Sequence, residues 1–240
     1  MDRFQILEWD SEFFGIPVAQ ILPDTLTVGE FEQVISSMMK KNVKLAYWAS
    51  NPYDEESQRA AKRFHGFLAD KKVTYASTID RTFEECGGCG WIIEEYADSA
   101  LCEDLEALAV QAGIYSRFKR DPRIPEKRFV DLYLSWIRNS VNARMADAVL
   151  VARLSGKIVG MVTVGEKERC GCIGLFAVAE SMRGRRLGVA LVKAAQAWTR
   201  RRGLDCARVV TQQENIASCN LYEKCGYRIE KIEYFYHFWI

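Results

Sequence analysis

Residues 178–198 read VAESMRGRRLGVALVKAAQAW. Within this stretch Arg183, Gly184, Arg185, Arg186, Leu187 and Gly188 stand where an extended segment gives way to an apolar helix. A helix start presents unpaired backbone N–H groups and the positive end of the helix dipole. The glycines let the main chain close around a ligand, and the arginines add cationic density. The chemistry this serves is anion binding, with a pyrophosphate as a fitting occupant. The turn is not a P-loop, since GxxxxGK(S/T) is absent, and it is not a Rossmann fingerprint, since GxGxxG and its downstream acid are missing. Taken alone, it reads equally well as a solvated basic helix start.

Cysteine is the second chemistry-bearing residue type. The chain has 8, at Cys86, Cys89, Cys102, Cys170, Cys172, Cys206, Cys219 and Cys225. Cys86 and Cys89 form a CGGC, the spacing of half a zinc site or of a redox pair. No second pair matches it, and His65 and His237 are too few and too scattered to complete a site. The expectation is a linker or turn at CGGC, no metal, and reduced thiols throughout.

These residues need elements to hold them. TVGEFEQVISSMMKKN predicts a helix capped by Thr27, with Phe31, Val34, Ile35 and Met38 on one face. RFQILEWDSEFFGIPVAQILP reads as two strands broken by a turn around Gly15–Pro17, VKLAYWAS as a buried strand, DEESQRAAKRFHG as a helix with Gly66 as its C-cap, and KVTYASTID as a strand. CGGCG then marks a join, which divides the chain into a small α/β domain over 1–85 and a second domain over 90–240. In the second, WIIEEY is a strand, DSALCEDLEALAVQAGIYSRF one helix, RDPRIPEK a loop and RFVDLYLSWIRNSVN a further helix. AVLVARLSGKIVGMVTVGEKE is a hairpin turning at Ser155–Gly156, and CIGLFAV is the strand that leads into the basic turn. After the turn's helix come a strand CARVVTQQ, a short helix IASCNLYEKCG and a strand-like end YRIEKIEYFYHFWI. The fold class is α/β with a mixed sheet.

Composition narrows the function. The chain has 240 residues, 33 Lys plus Arg against 32 Asp plus Glu, and a net charge of +1, so bulk charge does not mark a nucleic-acid binder and any basic site is local. No apolar run reaches the ~18 residues of a membrane span. MDRFQILEWDSEFF has no signal-peptide profile, so the expected location is the cytoplasm.

The order strand, basic turn, helix, strand, N-x-x-S-x-x-x-Y, G-Y resembles the acyl-CoA-binding core of the GNAT N-acyltransferase superfamily. That family reads roughly (Q/R)-x-x-G-x-(G/A) at the turn. Arg183 to Gly188 fit it, except that Arg186 stands where the middle glycine usually is. Asn215, Tyr222, Gly226 and Tyr227 match the family's second cue. The similarity covers about residues 90–240. It implies that acetyl-CoA or another short-chain acyl-CoA is the co-substrate. Phe176, Ala177 and Val178 would hold pantetheine through their backbone as a pseudo-strand. Arg183, Gly184, Arg185, Arg186, Leu187, Gly188 and Val189 would hold the pyrophosphate, with Asn215 nearby. By family position Tyr222 is the general acid that protonates the departing thiolate, a task suited to a phenol. The strand CGCIGLFAV offers no carboxylate as a base. Cys219 and Cys225 flank Tyr222, but nothing near them in sequence looks like the activating base of an acyl-cysteine route.

LEWDSEFFGIPVAQI and YSRFKRDPRIPEKRFVDLYLSWIRNSV are similar to the corresponding stretches of sugar-nucleotide N-acyltransferases, which serve O-antigen and related polysaccharide biosynthesis. This narrower resemblance implies a dTDP-linked amino-deoxy sugar as acceptor. Ser116, Arg117, Phe118 and Arg123, with Arg120, would offer it cations for a diphosphate and an aromatic face for a base. The bland alternative is core aromatics and solvated loop arginines. Three readings stay open: this enzyme, a GNAT enzyme acting on a protein, polyamine or antibiotic amine, and a non-catalytic acyl-CoA-binding protein. A homodimer is compatible with each.

Overall fold

The structure is a computed structural model, and it describes residues 3–79, 91–98 and 100–240. The CGGC segment lies outside the described residues. The contacts gather the chain into two compact units. Unit 1 holds residues 1–73, 116–124 and 231–240, and unit 2 holds 74–115 and 125–230.

Unit 1 contains β1 (Phe4–Ile6), α1 (Glu8–Phe14), β2 (Val18–Ile21), α2 (Val28–Lys40), β3 (Leu45–Ser50), α3 (Glu55–Arg63), the start of β4 (Phe67–Thr78), α5 (Arg117–Arg120) and most of β10 (Arg228–Trp239). β2 pairs antiparallel with β1 and parallel with β3, the latter through the α2 crossover, and β3 pairs antiparallel with β10. Thr27 caps α2 as its sequence predicts. Its hydroxyl accepts from the Glu30 N–H at 3.3 Å, and the Glu30 carboxylate accepts from the Thr27 N–H at 2.9 Å. Phe31, Val34 and Met38 then bury against Ala46, Trp48 and Phe238 on one face of the sheet.

The stretch expected as a plain turn before Pro17 contains a helix, α1. Ser11 makes it: its hydroxyl donates to the Leu7 carbonyl at 2.7 Å and accepts from the Val18 N–H at 2.9 Å, and Gly15 closes the helix in the left-handed region at φ 71°. At the end of α3 the left-handed residue is His65, at φ 56°, rather than Gly66. Gly66 is small for another reason, since a Cβ there would lie 2.7 Å from the Phe238 ring.

Unit 2 contains β5 (Ile93–Glu95), α4 (Glu103–Ala112), α6 (Glu126–Val141), β6 (Ala148–Leu154), β7 (Lys157–Lys167), β8 (Cys170–Val178), a short 3₁₀ turn (Glu180–Met182), α7 (Leu187–Arg201), β9 (Cys206–Gln212) and α8 (Ile216–Lys224). β5, β6, β7 and β8 pair antiparallel in that order, and β9 joins β8 in parallel through the α7 crossover, which gives the mixed sheet. The hairpin turns at Ser155 and Gly156, both at positive φ (50° and 81°), as a tight two-residue connection requires. Leu105, Leu108 and Ala109 of α4 and Ile137 of α6 pack on Val149, Val151 and Met161 of the sheet.

The helix expected over 98–118 is two separate pieces. α4 ends at Ala112, and Gly113, its C-cap, packs against the Tyr133 ring, where a side chain would collide. Ser116 then starts the separate α5, which belongs to unit 1. The expectation of reduced thiols is corrected at Cys170 and Cys206, which form a disulfide across neighbouring positions of β8 and β9, with Cα atoms 4.6 Å apart. Opposed residues on adjacent strands lie within disulfide reach, a proximity that depends on register and so was hidden in the linear order. Among the described residues no helix is long and apolar enough to cross a membrane.

Candidate functional site

The site starts where β8 and β9 part. They pair only over Gly171–Ala207, Cys172–Arg208 and Ile173–Val209, whereas the β7 ladder continues along β8 to Val178. Successive residues of an antiparallel strand turn their N–H and C=O to alternate sides. Leu175 donates to Thr163 Oγ1 at 2.8 Å and Ala179 donates to the Val159 carbonyl at 2.8 Å, both towards β7. Phe176 and Val178 therefore turn their main-chain groups away from β7, to the side that β9 has vacated. Ala177, between them, faces β7.

The chain leaves β8 through the 3₁₀ turn and enters the basic turn. Gly184 sits at φ 75° and Arg186 at φ 61°, ψ 7°, so the backbone is left-handed twice in three residues. Arg186 occupies the position where a glycine matches the motif, and it adopts the conformation that glycine takes freely. Arg186 is also the N-cap of α7 and uses no side-chain capping bond. Gly188 serves packing: a Cβ there would lie 3.2 Å from Leu221 Cδ2 and 3.7 Å from the Phe176 ring.

A cavity of about 480 Å³ opens at this turn. It brings together Phe176, Ala177, Val178, Arg183, Gly184, Arg186, Leu187, Gly188, Val189 and Asn215, all named from the sequence. Arg185 is not among its lining residues; its carbonyl accepts from the Trp91 indole at 3.1 Å. Asn215 also caps α8, its Oδ1 accepting from the Ser218 N–H at 3.2 Å. The first turns of both α7 and α8 contribute to the wall. The lining holds three cations, Arg183, Arg186 and Lys224, and no carboxylate. This charge balance suits a polyanion and leaves no acidic base in the cavity. Sequence reading missed Gln111, Tyr115, Asn220 and Lys224, and it used Ser218 only as part of the N-x-x-S-x-x-x-Y pattern. The first two were hidden inside an apparently continuous helix, and the others face the cavity only because of how α8 is rotated.

Tyr222 lies on α8, buried, and does not line the cavity itself. Its ring contacts Phe176, which does, at 6.1 Å between centroids, and also Tyr75 at 6.1 Å and Tyr227 at 5.9 Å. Burial pushes the Tyr222 phenol well above its ordinary value, so it keeps its proton at any physiological pH. Beside it, Tyr75 donates to the Glu223 carboxylate at 2.9 Å. Burial also raises the Cys219 thiol, which therefore rests protonated and is a poor nucleophile.

Ser116, Arg117, Phe118 and Arg123 all belong to unit 1. The Arg117 guanidinium lies over the rings of Tyr47, Phe118 and Phe235, at 4.5, 4.5 and 4.2 Å. Phe118 stacks on Phe14 at 6.1 Å, and Trp9 stacks on Phe13 at 5.2 Å, so the two sequence motifs WDSEFFG and SRF meet in one place. Burial raises the Asp10 carboxyl, and the nearby Arg117 charge opposes that rise. Arg123 makes an ion pair with Asp121 at 3.6 Å. Asp121 itself was missed. Buried, it accepts from Trp239 Nε1 at 2.8 Å and meets His237 Nδ1 at 2.8 Å, which clamps the segment after α5 to β10. Among the described residues no group of three or more His, Cys, Asp or Glu is placed to hold a metal ion.

Residues 111–227 match the Acetyltransferase (GNAT) family, a span that contains the cavity, the basic turn and α8. The chain is 26% identical over 140 residues to the spore coat polysaccharide biosynthesis protein SpsD of Bacillus subtilis, a match covering 58% of this chain and 47% of that protein. The chain spans about half the length of the curated relatives it matches. Among solved structures it resembles a functionally unknown conserved protein from Staphylococcus epidermidis, with a TM-score of 0.65, 14% identity, and coverage of 94% of this chain and 85% of that one. A GCN5-related N-acetyltransferase from Sphaerobacter thermophilus gives a TM-score of 0.60 at 15% identity, over 98% of this chain and 75% of that one. These two likenesses establish the shared fold.

Proposed function

We propose that the chain, whose residues 111–227 match the Acetyltransferase (GNAT) family, transfers an acyl group from acyl-CoA to the amine of a dTDP-linked amino-deoxy sugar. The observation that carries the acyl-CoA half is the cavity: three cations, no carboxylate, two helix first turns, and beside it the open edge of β8. Acyl-CoA supplies the thioester. The chain's residues bind and orient it. Phe176 and Val178 offer main-chain groups to the pantetheine arm, as an added strand requires. The N–H groups at Leu187, Gly188 and Val189, with Arg183 and Arg186, receive the diphosphate. Arg185 adds charge from the outer side of the turn.

Tyr222 holds the proton that the leaving sulfur takes. Burial keeps the phenol protonated while the site is empty, and the polar thioester, with the negative charge that grows on its sulfur, must bring that pKa down for the proton to pass. The acceptor amine must be neutral to attack. With no carboxylate in the cavity lining, its proton leaves to solvent through water, and a backbone carbonyl can orient the amine by accepting a hydrogen bond from it. The SpsD relative, named for polysaccharide biosynthesis, supports a sugar acceptor. Ser116, Arg117, Phe118 and Arg123 are the residues we assign to the acceptor, since Arg117 and its aromatic neighbours offer a cation and flat apolar faces. The same reading puts the protein in the cytoplasm.

The deciding experiment crosses acyl-CoAs with amino-sugar nucleotides, polyamines and peptides, and reads acylated products by mass spectrometry. Acylation of the sugar nucleotide supports the proposal. Acylation of the other amines alone replaces the acceptor, and CoA binding without any product points to a binding protein.

A further inference from the structure

One contact in the cavity is unexplained by the reading above. Gln111, in the last turn of α4, reaches across to β8, where its side-chain Nε2 donates to the Val178 carbonyl at 2.7 Å. Val178 is one of the two residues whose main-chain groups face the vacated side of β8, and both Val178 and Gln111 line the cavity. A carboxamide N–H is the same kind of donor that an amide of a pantetheine arm presents. The side chain thus makes the bond that a strand-adding ligand needs for itself.

Resting on the acyl-CoA reading, we propose that Gln111 is a displaceable latch, whose amide holds the Val178 carbonyl until an amide N–H of the ligand takes its place. The latch keeps a half-buried edge carbonyl satisfied while the groove is empty, which avoids leaving an unpaired polar group there. It also makes part of the ligand's binding an exchange of one hydrogen bond for another. Affinity for the pantetheine arm is lowered accordingly, while the adenosine end, at the basic turn, is untouched. Gln111 is therefore a positioning residue for β8's open edge.

The test measures binding of two ligands by calorimetry: CoA, and adenosine 3′,5′-bisphosphate, which lacks the pantetheine amides. Gln111→Met keeps the side chain's length and removes the donor, and Gln111→Leu is a second variant in case the first does not fold. The latch predicts that either variant binds CoA about fivefold more tightly, the worth of one net hydrogen bond, with bisphosphate affinity unchanged. Unchanged or weaker CoA binding overturns the latch, since Gln111 then shares the carbonyl or helps the ligand. Equal tightening of both ligands also overturns it, since the effect then does not pass through the pantetheine amides. A wild-type protein that binds neither ligand overturns the acyl-CoA reading, and the latch with it.

Discussion

His237 and Asp121, 116 positions apart in sequence, meet at 2.8 Å with both side chains fully buried, the imidazole Nδ1 facing a carboxylate oxygen. Burial alone would raise the Asp121 carboxyl, but hydrogen bonds from His237, Trp239 and the Arg123 N–H bring it down to about 2. Burial depresses His237 to about 4, more than its bond to Asp121 raises it, and the charges of Arg117 and Arg123 add to the depression. Neutral His237 therefore donates its Nδ1–H to ionised Asp121.

This pairing sets a pH dependence of stability. The unfolded chain protonates His237 below about 6.5 and the folded chain does so only below about 4. Over that window the unfolded state binds more protons, so stability falls as pH falls. Asp121 extends the loss below its unfolded value of 3.8, down towards 2. Thermal melts between pH 7.5 and pH 4 should show a falling midpoint, and His237→Gln should flatten the curve between pH 6.5 and pH 4 while lowering it overall. An unchanged pH slope in that variant assigns the titration to another group.

Arg186 offers a test of opposed effects. A non-glycine residue at φ 61° costs about 1 kcal/mol relative to one at ease there. Arg186→Gly should raise thermal stability by roughly 0.5–1 kcal/mol and weaken CoA binding several-fold, because a cation leaves the cavity wall. A stabilised variant with unaltered CoA affinity would remove Arg186 from the phosphate site.

Gly188→Glu adds both bulk and negative charge beside Leu221 and Phe176. A folded variant, checked by circular dichroism, should lose CoA binding. Normal binding would put the ligand elsewhere.

Arg117→Lys keeps the charge and loses the plane that lies over Tyr47 and Phe235. Steady-state kinetics should show a raised KM for the sugar nucleotide, with the KM for acyl-CoA nearly unchanged. A purely structural Arg117 would instead lower the melting midpoint and reduce the rate with both substrates through the folded fraction.

What the sequence made legible was local. Thr27 announces a helix start, Ser155–Gly156 a tight hairpin, and Arg183 to Gly188 a basic, glycine-containing turn at a helix entry, because each is decided within a few residues. Gly113 reads as part of a continuous helix because its cost there is small in isolation, while the room that its missing Cβ leaves for the Tyr133 ring is a tertiary fact. The Asp121–His237 bond and the Cys170–Cys206 bridge depend on strand register, which no local pattern carries. The resemblance supplied Tyr222 and Asn215. Only the structure revealed that Asn215 also caps α8 and that Tyr222 reaches the cavity through the Phe176 ring.

The central claim is that this chain moves an acyl group from CoA to an amino-sugar nucleotide with Tyr222 as the proton donor. The most direct measurement is steady-state kinetics on wild type and Tyr222→Phe, with acetyl-CoA and a dTDP-linked amino-deoxy sugar as the two substrates and the N-acetylated product detected by mass spectrometry. The account predicts product from the wild type and a kcat lower by ~100-fold or more in Tyr222→Phe, with CoA affinity retained. Product formed equally fast by Tyr222→Phe, or no product from a wild type that binds CoA, would contradict it.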